Sequence, residues 1–179
     1  HVRATPDAVA LSGPDTALSY AQLDEASNRL AQHLIGDGAG PGQVVAMLLP
    51  RTVDAVVAIM AILKTGAAYL PIDPSLPASR IAFMLSDAAP SAAVTNAEFA
   101  DRLGDFAGRV IDITEPADHP AAAVPVAVSP ADIAYLIYTS GTTGTPRGVA
   151  ITHHNLTQLI ASQDGGLPAT AEQAWSHWH

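Results

Sequence analysis

The 179-residue chain has no cysteine. Disulfides and thiolate-bound metals are therefore excluded, which fits a cytoplasmic protein. Lysine is almost missing as well. Lys64 is the only one, seven arginines are scattered without a cluster, and the formal net charge is −9. A basic patch for nucleic acid or anionic lipid is not expected. No apolar run reaches the ~18 residues of a spanning helix, and the first residues carry no signal-peptide pattern. Neither nucleic acid nor membrane is thus an expected partner. Aromatic residues make up only 5% while hydrophobic residues reach 49%. The chain can pack a core, and it must build that core mainly from Ala, Val, Leu and Ile.

What is present is an alternation of short apolar runs and helical periods. Ala8–Leu11 reads as an edge strand. Ser19 and Gln22 have capping-box spacing, and Leu23, Ala26, Leu30, Ala31 and Leu34 form a helical stripe ending near Gly36 and Gly38. Val44–Leu49 is short and continuously apolar, as a strand buried on both faces should be. Val53–Lys64 reads as a buried helix stopped by Gly66, and Ala67–Ile72 as the next strand. Pro77 suits the first turn of a helix carrying Ile81, Met84 and Leu85. Ala92–Thr95 is a strand, Asn96 caps a helix to Leu103, and Arg109–Ile113 is another strand. Residues 114–130 carry Pro116, Pro120, Pro125 and Pro130 and read as an irregular crossing, either an internal loop or a domain boundary. Ile133–Tyr138 and Gly148–Ile151 are strands, and Thr152 caps a helix with Leu156, Leu159 and Ile160 on one side. The expected fold class is α/β, a largely parallel sheet flanked by helices.

One loop concentrates the chemistry: Tyr138-Thr139-Ser140-Gly141-Thr142-Thr143-Gly144-Thr145-Pro146-Arg147-Gly148-Val149. Three glycines let the backbone turn and approach a ligand closely. Thr139, Ser140, Thr142, Thr143 and Thr145 offer hydroxyl donors, and Arg147 is the only charge. Many donors, one cation and no carboxylate suit a polyphosphate. The same composition also describes an ordinary connection between two strands. The order fits neither a Walker A loop nor a Rossmann fingerprint. The loop follows the carboxyl end of its strand, where sheets of this class bind ligands. The histidines suggest less. His153 and His154 fall in the first turn of a helix, and His177 and His179 form an H-x-H without an evident third ligand, so no metal site is assigned.

The loop resembles the nucleotide-phosphate loop of the adenylate-forming superfamily, with Arg147 where that group most often has lysine. Two further stretches resemble the adenylation domains of nonribosomal peptide synthetases in particular. The first is Leu18-Ser19-Tyr20-x-x-Leu23 followed by Asn28-Arg29-Leu30-Ala31, with Gln22 in place of the usual glutamate. The second is Leu63-Lys64-Thr65-Gly66-Ala67-Ala68-Tyr69-Leu70-Pro71-Ile72-Asp73-Pro74, continued by Arg80-Ile81-x-Phe83-Met84-Leu85-x-Asp87-Ala88. Both stretches read as core, cap and turn rather than as site. Lys64 lies where a helix dipole favours a cation, and no catalytic role is assigned to it.

The resemblance implies an amino acid activated by ATP to aminoacyl-AMP, with pyrophosphate released, then transferred to the phosphopantetheine thiol of a carrier protein beside neighbouring synthetase domains. It implies that Thr139, Ser140, Thr142 and Thr143 donate hydroxyls to the β- and γ-phosphates. Gly141 and Gly144 offer backbone N–H groups, Arg147 offsets developing charge, and Mg2+ accompanies ATP. Nothing in the sequence matches the family's amino-acid pocket, adenine and ribose contacts or catalytic lysine. Residues 1–179 are expected to be part of the large N-terminal lobe, without the C-terminal lobe, and inactive alone. An acyl- or aryl-CoA ligase, or a non-catalytic domain of the same fold, are the competing readings.

Overall fold

The computed structural model describes residues 2–14, 16–115, 119–139 and 146–163. The chain opens with a two-stranded antiparallel ribbon, β1 (Val9–Ser12) and β2 (Ala17–Ser19). The expected edge strand is therefore real, but it pairs with β2 in a small sheet of its own. Helix α1 (Tyr20–Gly36) starts at the capping box read from the sequence. Ser19 Oγ accepts from the Gln22 backbone N–H at 3.2 Å, and Gln22 Oε1 accepts from the Ser19 N–H at 2.8 Å. Glutamine supplies the same acceptor as the glutamate it replaces, so the cap survives that departure.

Six strands form the main sheet in the order β6-β5-β3-β4-β7-β8. They are β3 (Val44–Leu48), β4 (Ala68–Ile72), β5 (Ala92–Thr95), β6 (Arg109–Asp112), β7 (Ile133–Thr139) and β8 (Arg147–Thr152). Every pairing from β6 to β7 is parallel, and β8 joins β7 antiparallel as the hairpin's return strand. Helices α2 (Val53–Thr65), α3 (Ala78–Ala88) and α4 (His153–Gln163) complete the elements. The helix expected from Asn96 to Leu103 is only a 3-10 turn over Ala100–Leu103. Asn96 Oδ1 does accept from the Phe99 N–H at 3.2 Å, but in the turn before this segment, whose own N-cap is Phe99 with no side-chain bond. Gly104, at φ +57°, ends it before a second turn can form, and so short a segment cannot repay helix nucleation.

Side chains alternate across the sheet with period two. Val45 and Met47 of β3 join Leu34, Ala58 and Ile62 in a core under α1 and α2. Ala46 and Leu48 point the other way and join Ile81, Met84 and Leu85 under α3. Small residues let the layers approach. Ala46, Ala58, Ala61 and Ala93 are fully buried, which is how so aromatic-poor a chain closes its core. Gly66 ends α2 at φ +81°, where an added Cβ would stand 2.9 Å from Pro41 Cγ and 3.0 Å from Val126 Cγ1. Only glycine fits both the left-handed backbone and that gap.

The irregular stretch before β7 lies on the α1–α2 side. Its anchor is Lys64. The ammonium donates to Asp24 Oδ1, Ser27 Oγ and Asn28 Oδ1, each at 2.7 Å, with the Asp24 carbonyl at 3.2 Å. Asn28 then donates through Nδ2 to Asp24 Oδ2 at 3.1 Å and to the Ala121 carbonyl at 2.9 Å. The last turn of α2, the middle of α1 and the crossing are thus tied at one partly buried point. The dipole argument from sequence missed these partners, because all of them lie 36 or more residues away.

Two outcomes follow from this packing. Lys64→Met keeps the aliphatic stem but strands Asp24, Ser27 and Asn28 without their donor. It should lower stability by about 2–3 kcal/mol, read as a lower urea midpoint at constant slope. Tyr69 stacks on Tyr135 with centroids 5.2 Å apart. Burial first, and the neighbouring Tyr135 second, push its phenol from 10 up to about 12. In that interval the unfolded chain releases a proton that the folded chain keeps. Stability should therefore fall as pH rises from 10 through 12. Urea melts of Tyr69→Phe across the same range should show a shallower fall.

Candidate functional site

All five parallel strands present their carboxyl ends on one edge of the sheet, the edge where open α/β sheets take ligands. β7 reaches that edge at Thr139, and β8 starts back from it at Arg147. The two are direct cross-strand partners. Two of the residues singled out in the sequence are therefore brought together, both exposed. Their neighbours Ser140, Gly141, Thr142, Thr143, Gly144 and Thr145 lie outside the described residues.

The base of this hairpin is held by alternation. Leu136 and Tyr138 face the α3 side and pack on its core, while Tyr135 faces the α1–α2 side and stacks on Tyr69. Ile137 pairs with Val149, and both remain over 40% exposed. At the far end, α4 is set by Thr152 and Asn155. Thr152 Oγ1 accepts from the Asn155 N–H at 3.2 Å, and Asn155 Oδ1 accepts from the Thr152 N–H at 3.1 Å. His153 and His154 do fall in the first turn of α4. Leu156 is half-buried, but Leu159 and Ile160, expected on its apolar side, are exposed.

Two polar residues that sequence reasoning left without a role lie on the same carboxyl edge. Arg51 follows β3, and Asp73 follows β4. Asp73 Oδ1 accepts from the Ser75 N–H at 2.8 Å. That bond, then the Ser75 hydroxyl and the Arg51 charge, hold the Asp73 carboxyl below the usual range, so it stays anionic. Their position directly after a buried parallel strand was the available signal. Thr95, fully buried at the end of β5, donates to the Leu48 carbonyl at 2.9 Å and ties two strand ends together. An open groove of about 830 Å³ lies elsewhere, between α3 and residues 101–108, and none of the described hairpin residues lines it. Among the described residues no group of three His, Asp or Glu side chains is gathered to hold a metal ion.

Known proteins share this arrangement. The family model described as "AMP-binding enzyme" matches residues 1–177. The isonitrile lipopeptide synthase of Mycobacterium tuberculosis (strain ATCC 25618 / H37Rv) is 51% identical over 177 residues, which is 97% of this chain and 7% of the relative. The dimodular nonribosomal peptide synthase of Bacillus subtilis (strain 168) is 42% identical over 97% of this chain and 8% of its own length. The chain thus spans under a tenth of these relatives. Among solved structures, a nonribosomal peptide synthetase bound to alpha-methyl-L-serine-AMP superposes with a TM-score of 0.85 at 29% identity, covering 92% of this chain and 18% of that one. The o-succinylbenzoate CoA synthetase of Bacillus subtilis gives 0.86 at 27% identity, covering 97% and 36%. With the family model matched over residues 1–177 and the relatives aligned over nearly the whole chain, the chain belongs to the AMP-binding enzyme family.

Proposed function

We propose that the chain is the ATP-handling part of an amino-acid-activating adenylation domain of a nonribosomal peptide synthetase. The observation that carries this is the hairpin. A twelve-residue loop sequence rich in phosphate donors springs from the carboxyl edge of a parallel sheet, with Thr139 and Arg147 paired at its base. The relatives at 51% and 42% identity, both peptide synthases by name, favour this over a CoA ligase. The fold alone does not separate them, because both kinds of enzyme superpose equally well.

In this reading, a carboxylate oxygen of the amino acid attacks the α-phosphorus of ATP. The bond from that phosphorus to the bridging oxygen of the β-phosphate breaks, and pyrophosphate leaves. A carrier protein's phosphopantetheine thiol then attacks the acyl carbon and AMP departs. The chain's own part is to position and to neutralise. Thr139, Ser140, Thr142 and Thr143 donate hydroxyls, and Gly141 and Gly144 offer backbone N–H groups to the β- and γ-phosphates. Arg147 balances the negative charge that builds on the leaving pyrophosphate. Magnesium bound with the nucleotide would screen the charge of its phosphates. None of the described residues is assigned to it.

In the full-length protein, one natural amino acid should drive exchange of labelled pyrophosphate into ATP. Arg147→Ala should raise the KM for ATP about tenfold, the loss of one charge-assisted contact. Arg147→Lys should stay within about threefold, since the charge is kept while the fork is lost. Exchange that needs an aryl or acyl acid instead, with a CoA thioester as product, would establish the ligase reading.

A further inference from the structure

Tyr138 precedes Thr139, Gly148 follows Arg147, and the two are themselves cross-strand partners. The pair that carries the candidate phosphate contacts therefore rests directly on the Tyr138–Gly148 pair. Three elements meet at the Tyr138 ring. Its hydroxyl donates to Asp87 Oδ2 at 2.6 Å, joining β7 to the last turn of α3. Phe83, one helical turn before Asp87, meets the ring edge-on, with centroids 6.3 Å apart and planes at 87°. Gly148 lies against the ring so closely that an added Cβ would stand 3.2 Å from Cζ and 3.3 Å from the hydroxyl oxygen.

This contact adds to the support that β4, Leu136 and Tyr135 give the inner strand of the hairpin, and it restrains the outer one. β8 is an edge strand, most of its residues are exposed, and it is attached to the sheet only through β7. A strand held on only one side gains a restraint on its angle where a side chain spans from its hairpin to a helix. The Tyr138 phenol provides it by spanning from the sheet to a helix whose Ile81, Met84 and Leu85 are locked in the core. Burial, and then the bond to Asp87, push the phenol well above its ordinary range, so it keeps its proton, and the bond, at pH values where a free tyrosine ionises.

We propose that Asp87 and Tyr138 are positioning residues for nucleotide binding, fixing the angle at which Thr139 and Arg147 meet the distal phosphates of ATP. The proposal rests on the phosphate-loop reading above. It makes no claim that either residue touches the ligand. Phe83 and Gly148 serve the same arrangement by shape, one bracing the ring and the other leaving room for it.

The test compares ATP with AMP, in the presence of magnesium, by calorimetry on the full-length protein. Tyr138→Phe and Asp87→Ala should each weaken ATP about tenfold while AMP stays within about twofold, because AMP lacks the distal phosphates. The double variant should be no worse than either single one, as expected for two halves of one contact. Asp87→Asn keeps an acceptor for the phenol and should restore most of the ATP affinity. Equal losses for ATP and AMP would show general unfolding and overturn the proposal. Wild-type ATP affinity in Tyr138→Phe and Asp87→Ala, with Arg147→Ala still impaired for ATP alone, would overturn the positioning role and leave the phosphate loop standing. If Arg147→Ala also fails to distinguish ATP from AMP, the phosphate-loop reading falls, and this proposal falls with it.

Discussion

A single ammonium group decides how one whole layer of this molecule sits on the sheet. Helix α2 is apolar on most sides, and its last turn carries Lys64 into a partly buried position. A charge there is costly unless its protons are all met. They are met by Asp24, Ser27 and Asn28, which lie together on the buried side of α1. The requirement restrains the pairing of the two helices, together with the core that Leu30 and Leu34 share with Ala58 and Ile62. Asn28 extends the constraint by holding the Ala121 carbonyl. Gln32 adds a weaker contact to the Ala122 carbonyl at 3.4 Å. Val124 packs on the core beneath, and Val126 lies against Gly66. The crossing that returns the chain to β7 is thereby laid over the two helices, and β7 enters the sheet beside β4.

That route explains why the two signature stretches read from the sequence occur together. Asn28 belongs to one and Lys64 to the other, and each is half of a single polar contact. The first stretch stays on the α1–α2 side, while the continuation of the second reaches the base of the hairpin through Phe83 and Asp87. Asn28 and Lys64 themselves act at a distance from the hairpin, through the sheet and the crossing they stabilise. The Gly66 stop is part of the same arrangement, since a side chain there would displace both Pro41 and Val126.

Features set by local chemistry were legible from the sequence. The Ser19–Gln22 box, the glycine end of α2, the short apolar strands and the parallel class of the sheet all follow from residues within a few positions of each other. The loop was legible by its order of residues, and the structure adds that Thr139 and Arg147 are partners across the hairpin. What escaped reading depends on distant partners. Nothing near β1 says that it pairs with β2 apart from the main sheet. Asn96 promised a helix because a cap is a local signal, while the glycine that cuts it short acts from the other end. Asp87 and Tyr138 are 51 residues apart, and each has an ordinary local explanation, one as a helix-end polar group and the other as a strand aromatic. Arg51 and Asp73 likewise gain meaning only when β3 and β4 lie side by side.

The charge balance sharpens the demand on the carboxyl edge. A chain of net charge −9 repels an incoming polyphosphate at long range, although physiological salt screens that field beyond about 8 Å. Attraction must come from donors held close to the ligand, where screening is weak. Arg51 already spends part of its charge on Asp73 at this edge. On the phosphate-loop proposal, the hairpin has to supply its cation and hydroxyls at a set place, and flexibility there would forfeit the short contacts that outweigh the general field. A planar guanidinium is less forgiving of angle than an ammonium, because its paired N–H groups must align with oxygens to gain their full strength. On the same proposal, arginine at 147 raises the value of a rigid hairpin base, and the contact from Tyr138 to α3 braces that base directly beside the Thr139–Arg147 pair.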